Sequence, residues 1–197
     1  MNPTIVLLIT GFVYILFLGG MALLRREGLS ATVAVQSLAI TLVAGGFVYL
    51  TGYAIHPVLL LIVLYLVSMR SRLLADLGNL FAQRKDFGLA ERCYALALSL
   101  LPDPSSRLVV MINQGTSLVQ KGELEQAIQT FQEVIRRKAE GHLGMKYEAA
   151  AHYNLGVAYL RKGMDAQARV EFNMVIETLP ASDFARRAED ALNRKRH

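Results

Sequence analysis

The chain has 197 residues, of which 53% are hydrophobic and 19% are charged, and its formal net charge is +5. This composition is too apolar for a simple soluble domain. Most charges lie in residues 71–197, where 18 basic and 15 acidic side chains nearly balance. That balance argues against a nucleic-acid groove, so no nucleic-acid partner is expected. The single cysteine, Cys93, excludes an intrachain disulfide.

Residues 1–70 are predicted to form a membrane anchor with three spans, at about 5–24, 31–53 and 55–70. The first span, from Ile5 to Leu24, is a 20-residue run without a charge, which is long enough to cross a hydrocarbon core. A cleaved signal peptide is the alternative. However, the chain opens without a basic residue, and the apolar run ends at Arg25 and Arg26 instead of a small-residue cleavage site. We therefore expect a retained anchor.

The third span is short, because its almost wholly aliphatic run covers only residues 58–69. It crosses a bilayer if residues 54–57 extend it at one end and the Arg70 and Arg72 side chains reach the interface at the other. No proline follows before residue 85. We therefore expect this span to continue into the next domain as one helix of about 28 residues.

Basic residues at the ends of the spans predict the orientation in the membrane. Arg25 and Arg26 follow the first span, and Arg70 and Arg72 follow the third, whereas the opposite ends carry no Lys or Arg. Cytoplasmic ends of membrane helices are enriched in basic residues, so three spans place both clusters in the cytoplasm. We expect the N-terminus outside a bacterial plasma membrane and residues 71–197 in the cytoplasm.

The second part of the chain repeats one spacing three times. Gly78, Gly115 and Gly156 each lie 12 residues before an alanine and 16 residues before an aromatic residue. Those partners are Ala90, Ala127 and Ala168, and Tyr94, Phe131 and Phe172. Small residues at these positions let two helices approach closely, and the aromatic ring fills the wedge between them. Short breaks separate the two helices of each pair, at Lys85-Asp86, Lys121-Gly122 and Lys162-Gly163.

This pattern resembles the tetratricopeptide repeat, a 34-residue unit of two antiparallel helices. The resemblance implies an α-solenoid of three helix pairs, which we expect a capping helix to close. Together with the three predicted transmembrane helices that precede it, this gives an all-α fold. The expected domain covers residues 71–197, with repeats at about 71–104, 108–141 and 149–182 and a cap at 182–195. The repeats are spaced by 37 and 41 residues, so residues 102–106 and 139–144 are expected to form enlarged loops. Ser182 is the expected N-cap of the last helix.

The sequence contains no catalytic or metal-binding motif: it lacks a phosphate-binding loop, HExxH, GxSxG and CxxC. We expect no enzymatic activity, metal, cofactor or small-molecule substrate. His152 lies at a core position of the third repeat and is expected to be packed or hydrogen-bonded there. His56 starts the third span, where it is either an interfacial helix-start residue or a ligand for a pigment or haem iron.

In tetratricopeptide domains the first helix of each repeat lines a concave face that holds a partner. Carried onto this chain, the groove residues are Asn79, Gln83, Ile112, Asn113, Thr116, Gln120, Tyr153, Asn154 and Arg161. One branch of the family clamps C-terminal carboxylates with two Asn and three basic residues. Asn79 and Asn113 match the amides, but the basic positions hold Ala75, Ala150 and Asn154, so this clamp is not expected. The resemblance implies a largely apolar groove with a ladder of amides, which suits an extended or helical segment of modest charge.

Two classes of function fit these features. The first is a non-catalytic, membrane-anchored scaffold or adaptor for protein partners, such as an assembly factor or accessory subunit of a larger membrane complex. Its layout is similar to that of the tetratricopeptide assembly factors of photosynthetic and respiratory membranes. The second is a pigment-, quinone- or transport-related subunit in which the transmembrane helices carry the function. The spans contain almost no ionisable residues, which disfavours an independent transporter and favours the scaffold.

Overall fold

The structure of the chain is a computed structural model that describes residues 2–24, 30–140 and 143–194. Within these residues it is entirely α-helical, which confirms the predicted fold class. The helices are α1 (Pro3–Leu24), α2 (Ala31–Thr51), α3 (Pro57–Gln83), α4 (Phe87–Ser99), α5 (Pro104–Lys121), α6 (Leu124–Arg137), α7 (Met145–Arg161), α8 (Asp165–Thr178) and α9 (Asp183–Arg194). The chain divides into two compact units, Met1–Arg70 and Ser71–His197.

In the first unit, α1, α2 and α3 are long and apolar enough to cross a membrane. α1 and α2 meet at Gly11, where an added Cβ would overlap the side chain of Thr41. Ser37 and Thr41 are buried at this contact, and the Thr41 hydroxyl donates to the Ser37 carbonyl at 2.7 Å. Small residues and internally satisfied hydroxyls are typical of close contacts between membrane helices.

Polar side chains form hydrogen bonds at both ends of the part of α3 that lies in the first unit. His56 caps the helix start, because its Nδ1 accepts a hydrogen bond from the Val58 N–H at 3.2 Å. At the other end, the Arg70 guanidinium donates to Gln36 Oε1 at 3.1 Å and to the Val67 carbonyl at 2.5 Å. As predicted, α3 then continues as one helix to Gln83. The Arg25-Arg26 pair lies outside the described residues.

In the second unit, α3 to α8 form three helix pairs. In each pair, a glycine of the first helix packs against an aromatic ring of the second. A Cβ built on Gly78 would lie 2.7 Å from the Tyr94 ring, and one built on Gly115 would lie 2.8 Å from the Phe131 ring. Gly156 repeats this contact with the Phe172 ring at 2.7 Å. Real Cβ atoms essentially never approach so closely, so the rings occupy the space that a side chain would need.

The inner helices of the second and third repeats begin earlier than the spacing suggested. Residues 104–106, which we expected in a loop, form the first turn of α5. Asp103 caps this turn by accepting a hydrogen bond from the Ser106 N–H at 3.2 Å, and Pro104 suits a first helical turn. α7 likewise begins at Met145, directly after the loop expected at 139–144 and before the expected start of the third repeat at about 149. The additional residues therefore lengthen helices, although residues 141–142 of the second connection lie outside the described part.

The last helix, α9, covers the third repeat. The Ser182 hydroxyl accepts a hydrogen bond from the Ala185 N–H at 3.0 Å, which is the expected N-cap. Ala185 and Ala188 are buried, and the Phe184 ring lies 5.7 Å from the ring of Tyr153 in α7. The C-terminal end of the repeat stack is therefore closed by an amphipathic helix.

Replacing Gly115 with Leu should destabilise the second unit by about 1–3 kcal/mol, because the new side chain overpacks against the Phe131 ring. Thermal unfolding of the purified full-length chain in detergent, followed by circular dichroism, measures the change. Gly88→Leu is the matched control, since Gly88 is exposed and its nearest neighbour is 3.8 Å away. Equal melting temperatures for the two variants would contradict the assigned register.

Candidate functional site

The first helices of the repeats form an inner row. Within the described residues, α5 contacts α7 and α7 contacts α9, whereas the second helices α4, α6 and α8 do not contact one another. Helices that touch along one side of a stack and separate along the other produce a curved solenoid. α3 joins this row because its Ala75 and Ala82 pack in one cluster with Val110 of α5. The row formed by α3, α5 and α7 is therefore the concave side, and all nine predicted groove residues belong to these three helices.

Asn79, in α3, is already engaged within its own repeat. Its Oδ1 accepts a hydrogen bond from the Tyr94 hydroxyl at 2.8 Å. Burial raises the pKa of Tyr94 to about 12, so this hydroxyl remains a donor throughout the physiological range. The Asn79 amide oxygen is thereby oriented inward, and its NH₂ group makes no hydrogen bond to any described residue.

Asn154, in α7, links the third repeat to the second. Its Nδ2 donates to Thr116 Oγ1 at 3.2 Å, and the Thr116 hydroxyl in turn donates to the Ile112 carbonyl at 2.8 Å. The same two helices are joined again where Arg161 donates to the Val119 carbonyl at 2.8 Å. This carbonyl belongs to the last turn of α5, and it also accepts a hydrogen bond from the Gly122 N–H at 3.3 Å. Asn154, Thr116 and Arg161 therefore hold neighbouring inner helices together.

Two predicted groove residues pack within the domain. Ile112 is only 4% exposed and belongs to the main hydrophobic core. The Tyr153 ring lies 5.8 Å from the Phe172 ring and 5.7 Å from the Phe184 ring, so it fills the junction of α7, α8 and α9. Truncating either side chain would leave a cavity as well as altering the concave face.

Besides the Asn79 NH₂ group, three whole amides remain for a partner: Gln83 and Gln120 are exposed, and Asn113 is half-buried. Their side chains make no hydrogen bond to any described residue. Ala75 and Ala82 in α3 and Val109 and Val119 in α5 are buried against neighbouring helices, so they add little apolar surface to the concave row. What the row presents to a partner is mainly amide chemistry, with donors and acceptors suited to a peptide backbone.

The remaining candidate positions have structural roles. Ala75 and Ala150 are buried at two positions where a carboxylate clamp would need basic side chains. His152 is buried in the third repeat, with Nδ1 2.7 Å from Glu171 Oε2. In the described residues no three His, Cys, Asp or Glu side chains converge as metal ligands.

Comparisons with known proteins agree with this architecture. Residues 112–183 match the family model described as tetratricopeptide repeat. The chain is 33% identical over 102 residues to "Protein POLLENLESS 3-LIKE 2" of Arabidopsis thaliana, covering 48% of this chain and 23% of that protein. It thus spans less than a quarter of that relative's length.

A solved structure shares the fold. The N-terminal domain of stress-induced protein-1 (STI-1) from C. elegans matches with a TM-score of 0.52 at 19% sequence identity. The match covers 63% of this chain and 95% of that domain. At this identity the similarity establishes the helical-repeat fold, while the ligand of the concave face has to be inferred from the residues of this chain.

Proposed function

We propose that this protein is a non-catalytic scaffold, anchored in a membrane by α1, α2 and the first half of α3, because three helices are apolar enough to span a bilayer and residues 112–183 match the tetratricopeptide repeat model. The observation that carries the proposal is the concave row, where the amides Gln83 and Gln120 are exposed and Asn113 is half-buried, and none of the three makes a hydrogen bond to a described residue. Amides donate to and accept from a peptide backbone, so the row suits a protein segment without strong charge.

Membrane anchoring restricts the partner to proteins that can reach the bilayer surface. A chain with three apolar helices and a protein-binding repeat unit brings its partner to the bilayer surface. We propose that the partner is a subunit of a larger membrane complex and that the protein serves as its assembly factor or accessory subunit. Photosynthetic and respiratory complexes are examples of this class.

The proposed orientation places the N-terminus outside and the repeats in the cytoplasm, because basic residues follow the first and third spans. A reporter that is active only outside the cytoplasm should therefore be silent when it is fused after residue 197 in a bacterial host. The same reporter fused after Thr51, at the end of α2, should be active and serves as the control. A strong signal from the fusion at residue 197 would contradict the orientation.

Partner binding should depend on the free amides of α5. Replacing both Asn113 and Gln120 with Ala removes hydrogen bonds worth roughly 1 kcal/mol each, so the affinity should fall by about tenfold or more. Quantitative co-purification from native membranes measures the loss. The matched control replaces Gln126 and Gln129, two exposed amides on the outer helix α6.

Salt separates this mechanism from a charged contact. At roughly 0.5 M salt, charge pairs on the surface are strongly screened, but amide contacts are not. We expect the partner to stay bound to the wild-type chain and to the α6 variant. If salt released the partner from the wild-type chain and the α5 variant still bound it, the binding surface would have to lie outside the concave row.

A further inference from the structure

The first repeat carries an apolar stripe that is open to solvent. Leu73, Leu77 and Leu80 follow one another at spacings of four and three residues, so they share one face of α3. Their exposed fractions are 39%, 42% and 54%. None of them was needed to explain the concave row.

The equivalent positions of the other repeats are covered by neighbouring residues. Counted from the glycine of each repeat, they are Val110, Gln114 and Ser117 in α5, and Ala151, Leu155 and Ala158 in α7. Gln114 is half-buried and the other five are buried. Val110 packs into the cluster formed by Ala75, Ala82 and Tyr94 of the first repeat. These positions are therefore the face by which a repeat stacks on the one before it, and in the first repeat that face is uncovered.

The helix that follows adds more apolar surface. Leu89 and Leu96 in α4 are 39% and 49% exposed, and Leu100 at the C-cap of this helix is 36% exposed. The equivalent positions in α6 carry Gln126, Glu133 and Arg137, as expected for an outer helix in water. The first repeat is thus leucine-rich at positions where the fold itself does not require leucine, which is typical of an interaction surface.

We propose that this face is a homodimer interface, in which the first repeat of one chain packs against the first repeat of a second copy. A second copy cannot stack head to tail, because α9 already covers the C-terminal end of the solenoid. Pairing of the two open ends is the arrangement that remains, and it relates the copies by a two-fold axis.

The spacing of apolar residues along α3 indicates that the element packed against the leucine face is a helix. Leu59, Ile62, Leu66 and Met69 precede the three leucines on the same helix, again at spacings of three and four residues. The mean spacing from Leu59 to Leu80 is about 3.5 residues, the period of a coiled-coil seam. Two copies inserted in one membrane have parallel α3 helices, as this seam requires. That parallel arrangement rests on the proposed membrane insertion, whereas the exposed leucine face does not.

Disulfide crosslinking of the full-length chain in native membranes tests the interface. Cys93→Ser removes the native thiol, and Leu80→Cys then places a thiol on the stripe. Residues on a two-fold seam lie within the roughly 4–7 Å between Cα atoms that a disulfide needs. Oxidation should give a product of twice the chain mass. Val170→Cys in the same background is the control, because Val170 is 60% exposed but lies on α8 in the third repeat.

The mass of the detergent-solubilised chain gives a second test that does not depend on crosslinking. We expect a dimer for the wild-type chain and half that protein mass for the Leu77→Glu, Leu80→Glu double variant. Because both side chains are exposed, the helical circular dichroism spectrum should be unchanged. A monomeric wild-type chain without a crosslinked product would overturn the proposal. So would a Leu80→Cys product whose mass shows a different protein as the partner.

Discussion

The contact between a glycine in the first helix of each repeat and an aromatic ring in the second determines the arrangement of the C-terminal unit. The Cβ position of Gly115 lies only 2.8 Å from the Phe131 ring, and Gly78 and Gly156 make the same contact with their own aromatic partners. A backbone that approaches a ring so closely leaves little freedom in the angle between the two helices. Because the contact recurs in each pair, the first helices align on one side of the stack and form the concave row.

That alignment also determines which side chains a partner can reach. Asn154 and Arg161 in α7 are used to join α5, and Asn79 is used by Tyr94. The amides left over are those on positions that no neighbouring helix covers, chiefly Asn113 and Gln120 in α5. Unpaired amides are suited to bonding a peptide backbone, which is consistent with the proposed scaffold.

Much of the fold could be predicted because its determinants are local or strictly periodic. The spacing from Gly115 to Ala127 and Phe131 predicted a helix pair, and uncharged runs such as residues 5–24 predicted membrane-length helices. The early start of α5 was missed although its signal, the cap Asp103 followed by Pro104, was present in the sequence. The repeat spacing alone does not reveal this start, because it depends on local capping chemistry.

The candidate site was harder to predict, since exposure depends on helices that are distant in sequence. The resemblance placed Ile112 and Tyr153 on the concave helices, but it could not show that Ile112 enters the core. Nor could it show that the Tyr153 ring packs against Phe184 in α9. The open leucine face was not predicted either. Its signal becomes visible when Leu80 is compared with Ser117 and Ala158 at the same position of the later repeats.

The most direct test of a membrane-anchored scaffold is site-specific photocrosslinking of the full-length chain in its native membrane. A photoreactive residue at position 113, on the concave side of α5, should form an adduct with a membrane-complex subunit. The same residue at position 129, on the outer helix α6, should form none. Adducts from position 129 without any from position 113 would contradict the account, because the partner would then bind the outer surface of the repeats.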